Sequence, residues 1–142
     1  MTYTATATIV IHTSAAKVWE ALTTPEIVKQ FMFGSEVVSD WQKGSSILYK
    51  GEWEGKAYED KGTILEIEPE KLLKMTYYSP LSGKLDVPEN YQTITYALSE
   101  TDGKTNVKVT QDNNADQAGA KQAEANWQVV LDGLKSVLET RS

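Results

Sequence analysis

The chain has 142 residues, no cysteine, a single histidine and a formal net charge of −6 at pH 7. This length suits one domain with its own core, and the lack of cysteine excludes disulfides, thiol catalysis and thiolate zinc sites. The acidic balance and the scattered basic residues predict no nucleic-acid partner, because phosphate binding needs clustered lysine and arginine.

The sequence predicts neither a signal peptide nor a membrane span. Residues Met1–Val10 alternate threonine with apolar residues and lack both a basic start and a continuous apolar run. No apolar stretch approaches the roughly 20 residues that a spanning helix needs. We therefore expect a cytoplasmic protein without membrane insertion. No motif indicates a cofactor, and the glycines do not form a phosphate-binding loop.

The first part of the chain predicts one strand and two short helices. Residues 3–12 show a period-two alternation and are rich in β-branched residues, which is typical of a strand. Ser14 is a suitable N-cap for a helix over Ala15–Leu22. Thr24 is a second N-cap, with proline at the first helical position after it, and this second helix ends at Gly34.

The rest of the chain predicts six strands and a long helix. The strands are expected at Glu36–Trp41, Ser46–Glu54, Tyr58–Glu68, Lys71–Tyr78, Tyr91–Ser99 and Thr105–Asn113. In the third of them, Leu65 and Ile67 share a face opposite Glu66. Apolar residues at three- and four-residue spacing predict an amphipathic helix from Ala118 to about Glu139. Short connections indicate an antiparallel sheet, and the apolar side of the helix needs that sheet as its cover.

Several segments carry a resemblance to a known family. They are residues 16–23 with the following Pro25-Glu26, then 49–56, 65–69, 79–83, 110–114 and 126–135. In this order they resemble the START-like superfamily, also called SRPBCC or the pollen-allergen fold. Within it, the chain is similar to the C-terminal domain of the activator of the heat-shock protein 90 ATPase.

The resemblance implies an α+β helix-grip fold that spans residues 1–142 as a single domain. A curved antiparallel sheet of about seven strands, with two short helices after the first strand, would wrap around the long C-terminal helix. A cavity closed by loops would lie between the sheet and this helix.

The implied cavity gives the candidate ligand-binding residues. Strand phase and the helical stripe place ten side chains inward: Tyr49, Trp53, Met75, Tyr77, Ile94, Tyr96, Val107, Val109, Gln111 and Trp127. Aromatic rings with polar tips suit a hydrophobic or amphipathic small molecule, which Gln111 would orient. The alternative is that these side chains fill the core and leave no cavity.

Other polar residues favour structural interpretations. His12 has no histidine, cysteine or paired carboxylate near it, as a metal site or a catalytic triad would require. A solvated face is predicted for the acidic residues Glu52, Glu54, Glu59 and Asp60. Residues 111–114 are interpreted as a strand end followed by an Asn/Asp turn. No catalytic residue and no metal ligand is therefore predicted.

The sequence thus predicts a non-enzymatic module that binds a small molecule. A first alternative is a stress-related or co-chaperone-like adaptor that binds a chaperone or another protein. It would use the outer surface of the sheet or the loop 79–90, which is either a lid or docking segment or a plain surface connection. A second alternative is a cyclase- or hydrolase-type enzyme. That alternative needs a carboxylate buried in the cavity, and Asp112 is its first candidate.

Overall fold

The computed structural model describes residues 3–32, 34–53, 55–80, 83–114 and 116–140, without the side chains of Trp53 and Thr140. The elements are β1 (Tyr3–Ile11), α1 (Ala15–Thr23), α2 (Pro25–Phe31), β2 (Glu36–Ser39), β3 (Ser46–Trp53), β4 (Lys56–Glu68), β5 (Leu72–Tyr77), β6 (Gln92–Thr101), β7 (Lys104–Asn114) and α3 (Gln117–Thr140). This order confirms the predicted one. A short 3₁₀ helix, Pro88–Asn90, precedes β6.

The seven strands form one antiparallel sheet in the order β1-β7-β6-β5-β4-β3-β2. Every pair except β1 with β7 joins strands that are consecutive in sequence. The pairing of β1 with β7 brings the start of the chain beside the strand that leads into α3. Helix α3 packs mainly on β1 and also contacts β7 and α2. These features confirm the predicted helix-grip fold.

The core lies between α3 and the inner face of the sheet, which is the face turned toward this helix. Leu131 and Leu134 of α3 are fully buried, as are Ile11, Val107 and Val109 on the adjoining strands. The predicted N-cap at Ser14 is confirmed, because its Oγ accepts a hydrogen bond from the Lys17 backbone. No helix in the described ranges is long and apolar enough to cross a membrane.

Strand β4 changes phase in its middle. Its pairing with β5 shifts register between Ile64 and Glu66, as a β-bulge does. Ile64 is buried on the inner face, whereas Leu65 is 36% exposed. Alternation before the bulge therefore puts Asp60 on the inner face with Ile64. Extending the phase of Ile67, which packs on the core after the bulge, back along the strand would put Asp60 outside. The bulge reverses that phase, so the prediction of a solvated Asp60 is wrong.

Side chains of α3 bind the free edge of β1. Glu124 accepts a hydrogen bond from the Thr6 backbone N–H at 3.1 Å, and Lys135 Nζ donates to the Val10 carbonyl at 2.8 Å. Glu139 Oε2 accepts from the His12 backbone N–H at 3.0 Å and lies 2.9 Å from the His12 ring Nδ1. His12 is thus an exposed residue with a structural contact, as the sequence indicates.

We expect Glu139→Gln to lower the melting temperature by a few degrees near neutral pH. The His12 backbone N–H, the His12 ring and Lys135 hold the pKa of Glu139 at about 2. Because this value lies below the ordinary one, ionised Glu139 stabilises the fold at neutral pH, and this contribution is lost as pH falls toward 2. Thermal unfolding across this range measures it.

The matched control is Glu20→Gln, which removes the same charge from an exposed position on α1. Its effect on the melting temperature should be small at every pH. A difference between wild type and Glu139→Gln that does not shrink in acid would contradict the assignment.

Candidate functional site

Four side chains with polar tips meet on the inner face of β3, β4, β5 and β6. We call Tyr49, Asp60, Tyr77 and Tyr96 the inner polar cluster. Tyr49 and Asp60 lie directly opposite each other on β3 and β4. The Tyr77 hydroxyl donates a hydrogen bond to Asp60 Oδ2 at 2.8 Å. Tyr96 interacts electrostatically with both Tyr49 and Tyr77, so the three phenols lie in one region.

Burial keeps the phenols of this cluster neutral. It raises the pKa of Tyr49, Tyr77 and Tyr96 above the ordinary value for a phenol. The negative charge of Asp60 raises the pKa of Tyr77 further. No hydrogen bond joins the Tyr49 or Tyr96 hydroxyl to any other residue that the structure describes. These two hydroxyls are therefore available to a bound molecule.

Asp60 is the charged member of the cluster. Its Oδ1 atom is buried and has no hydrogen-bond partner within the described part of the chain. Burial raises the pKa of Asp60, while hydrogen bonds from Ser79 and Tyr77 oppose this effect. An unsatisfied buried oxygen typically costs about 1–3 kcal/mol. Since such groups are rare in folded proteins, this one calls for a functional explanation.

Two glycines shape the sheet beside the cluster. A Cβ at Gly62 would lie 1.7 Å from the Thr76 carbonyl oxygen, so β4 and β5 can approach this closely only at glycine. A Cβ at Gly51 would lie 2.6 Å from the hydroxyl of Tyr58, which itself bonds the Ser35 hydroxyl at 2.6 Å. Gly51 thus leaves room for the Tyr58 ring, and Gly62 allows β5 to approach β4, both near Asp60.

A second polar network connects α3 to the sheet. The Trp127 indole N–H donates to Gln111 Oε1 at 2.6 Å, and Gln111 Nε2 donates to Gln92 Oε1 at 2.6 Å. Gln92 in turn donates to Asn114 at 3.2 Å. The Trp127 ring meets the Tyr96 ring edge-on, with centroids 5.7 Å apart. Gln111 therefore fixes the position of Trp127 above the inner polar cluster.

The structure brings most of the predicted lining residues into one region. Met75, Ile94, Tyr96, Val107 and Val109 are buried, and Tyr49, Tyr77, Gln111 and Trp127 are half-buried. The Trp53 side chain lies outside the described residues. Asp60 belongs to the same region and is absent from the predicted set. The alternation Asp60, Gly62, Ile64 could have found it, had the bulge been recognised.

The other acidic candidates lie elsewhere. Glu52 and Glu59 are exposed, as predicted, and Glu54 lies outside the described residues. Asp112 accepts a hydrogen bond from the Thr93 backbone N–H at 2.5 Å, and it alternates away from Gln111 toward the outer face. No group of three potential metal ligands occurs in the described ranges.

The loop 79–90 contacts the outer face of the sheet. Tyr78 stacks on Tyr91 with centroids 5.3 Å apart, and its hydroxyl donates to the Lys84 carbonyl at 2.6 Å. Lys61 forms a salt bridge with Asp86. Two open grooves of about 400 Å³ lie near this loop. They are lined by Lys50, Gly51, Ala57, Tyr58, Glu59 and Pro80, and by Thr76, Asp86, Pro88 and Tyr91, so neither groove includes a predicted lining residue.

We expect Gln111→Leu to destabilise the fold by about 1–3 kcal/mol, because it leaves the Trp127 N–H and the Gln92 amide oxygen without partners. Combining it with Trp127→Phe should cost less than the sum of the two single changes. Urea unfolding measures both quantities. Gln128→Leu, on the exposed side of α3, should change stability by no more than about 0.5 kcal/mol. Strict additivity would contradict the network.

We expect Asp60→Asn to change how stability depends on pH. The raised pKa of Asp60 means that the folded chain holds this proton more tightly than the unfolded chain. Wild type should therefore lose stability relative to Asp60→Asn as pH rises above the ordinary aspartate value of about 3.9. Urea midpoints at several pH values measure this trend. Glu59→Gln, an exposed neighbour with the same charge change, should not reproduce it.

Comparison with known proteins relates the chain to one family. The family model described as "Activator of Hsp90 ATPase homolog 1-like protein" matches residues 12–139. The solution structure of ChR145 from Cytophaga hutchinsonii has 49% sequence identity and a TM-score of 0.85. That match covers 98% of this chain and 95% of ChR145. None of the curated proteins matches the chain.

Two more distant structures share the fold. The Aha1 dimer from Colwellia psychrerythraea has 22% identity and a TM-score of 0.75, with 96% of each chain covered. DynU16, a protein of the dynemicin biosynthetic locus, has 17% identity and a TM-score of 0.80. That match covers 98% of this chain and 48% of DynU16. At these identities the likeness concerns the fold alone.

Proposed function

Because the chain belongs to the family of Activator of Hsp90 ATPase homolog 1-like proteins, we propose that it is a non-enzymatic module that binds a small molecule. The ligand, hydrophobic or amphipathic, lies between the inner face of the sheet and α3. The observation that carries this proposal is the inner polar cluster, in which the hydroxyls of Tyr49 and Tyr96 have no hydrogen-bond partner among the described residues and lie beside the apolar core. A cytoplasmic location remains a prediction.

Burial of apolar surface would supply most of the binding energy. The side chains around the cluster are apolar or aromatic, among them Met75, Ile94 and Trp127. Each 100 Å² of apolar ligand surface removed from water contributes about 2.5 kcal/mol. Hydrogen bonds to the phenols would fix the orientation of the ligand, because other orientations would not form these bonds. The likeness to DynU16, from a biosynthetic locus, also supports a small organic ligand.

The test is native mass spectrometry of the purified protein, followed by denaturing extraction. We expect an adduct of a few hundred daltons that dissociates on unfolding. The extracted compound should rebind wild type and bind Tyr49→Phe or Tyr96→Phe more weakly, since these changes remove only a hydroxyl. A protein that carries no adduct, and that binds none of the probes described in the next subsection, would contradict the proposal.

An adaptor function is the second candidate. The likeness to the Colwellia Aha1 dimer supports it, and so does Leu85, which is 77% exposed on the loop 79–90. A chaperone or another protein would then bind the outer side of the sheet. Leu85→Ser should abolish such binding without affecting small-molecule binding, and this difference separates the two functions.

Asp60 also provides a partly buried carboxylate, the kind of group that an enzyme of this fold would need. Incubating the extracted compound with wild type and with Asp60→Asn distinguishes catalysis from binding. Chemical conversion by wild type that Asp60→Asn loses would support an enzyme. Recovery of the compound unchanged from both proteins would support the binding module.

A further inference from the structure

Binding of a purely apolar molecule leaves Asp60 unexplained. Its carboxylate lies among aromatic rings with one buried oxygen unpaired. No salt bridge within the described ranges involves it, because their three ion pairs are His12 with Glu139, Lys61 with Asp86, and Lys135 with Glu139. A partly buried carboxylate without a cation is destabilising unless a bound group or a proton compensates its charge.

Tyr77 shows which kind of group the site accepts. Its hydroxyl proton is donated to Asp60 and Ser79 also hydrogen-bonds this hydroxyl, so any further hydrogen bond to the Tyr77 oxygen must come from a donor. Tyr77 is half-buried, and its bond to Asp60 lies on the inner face of the sheet. An acceptor backed by a carboxylate favours a ligand that carries N–H donors and positive charge.

We propose that Asp60 is the counter-ion of a site for an organic cation, a protonated amine that donates to the Tyr77 oxygen. This inference rests on the proposed function and specifies its ligand class. The amine lies at the inner polar cluster, and its apolar part extends under α3 beside Trp127.

The surrounding rings and the overall charge support a cation. Aromatic rings attract ammonium groups, and the rings of Tyr49, Tyr77, Tyr96 and Trp127 pack in this region. The net charge of −6 attracts cations to the protein and repels anions. Burial raises the pKa of Asp60, and an ammonium group nearby would restore its ionised form.

The experiment compares decylamine, decanol and decanoate, which share one alkyl chain and differ in head-group charge. Affinities are measured by isothermal titration at pH 7.5 and moderate salt, below the concentrations at which these compounds form micelles. We expect decylamine to bind wild type at least about 10-fold more tightly than decanol, and decanoate to bind most weakly. Decanoate binding as tightly as decylamine would overturn the proposal. This comparison uses the wild-type protein alone and therefore does not depend on whether the variants fold.

Variants test whether the preference for the amine depends on Asp60 and Tyr77. Asp60→Asn should reduce the ratio of decylamine to decanol affinity to within about 2-fold, and Tyr77→Phe should reduce it in the same direction. Glu59→Gln carries the same charge change on an exposed neighbour and should keep the wild-type ratio. A ratio that is equal in wild type and Asp60→Asn would show that surface charge attracts the amine, which overturns the proposal.

The same titrations separate this inference from the proposed function. Equal binding of all three probes would leave the binding module intact and remove Asp60 as its counter-ion. Absence of binding by all three, together with the lack of a native adduct, would remove the binding module itself.

Discussion

Without α3, the inner face of the sheet would expose Val107, Val109 and Tyr96 to water. The helix covers them with Leu131 and Leu134, and each of these leucines contributes about 1.5–3 kcal/mol by its burial. The Trp127–Gln111 hydrogen bond then fixes the helix to the sheet at one defined point. Apolar burial supplies the energy, and the half-buried amide of Gln111 helps to set the position of the helix.

The same exclusion of water makes the ionised form of Asp60 energetically unfavourable. A carboxylate in water needs no partner, whereas one held among Tyr49, Tyr77 and apolar side chains must find donors or keep its proton. The chain supplies Tyr77 and Ser79 and leaves Oδ1 unpaired. Folding stability and the proposed ligand selection therefore involve the same residue, because a bound group that compensates the charge of Asp60 would stabilise the folded chain.

The sequence predicts those features of the fold that depend on residues close together in the chain. The order of elements, the cap at Ser14 and the inward phase of Met75 and Tyr77 follow from spacing and residue type alone. The phase of β4 does not, because the bulge after Ile64 is set by pairing with β5. For this reason the candidate site is predicted in its apolar part and misses Asp60, its charged member.

The partners of Gln111 also escape prediction from sequence. Strand phase places its side chain inward, where it was expected to contact a ligand. Trp127 and Gln92, which bind both ends of its amide, lie 16 and 19 residues away along the chain. Only the tertiary structure brings them within hydrogen-bond distance. The loop 79–90 is similar, since its contact with the outer face depends on Lys61 of β4, which lies far from the loop in sequence.

The contacts of α3 with the edge of β1 also bear on self-association. A free edge strand of nine residues can template the addition of a strand from another copy, which is a common route to aggregation. Here Glu124, Lys135 and Glu139 bind three of the backbone groups on this side of the chain, the Thr6 N–H, the Val10 carbonyl and the His12 N–H, which hinders the addition of a strand. The opposite edge, β2, has only four residues. The chain can thus keep an open sheet without closing it into a barrel.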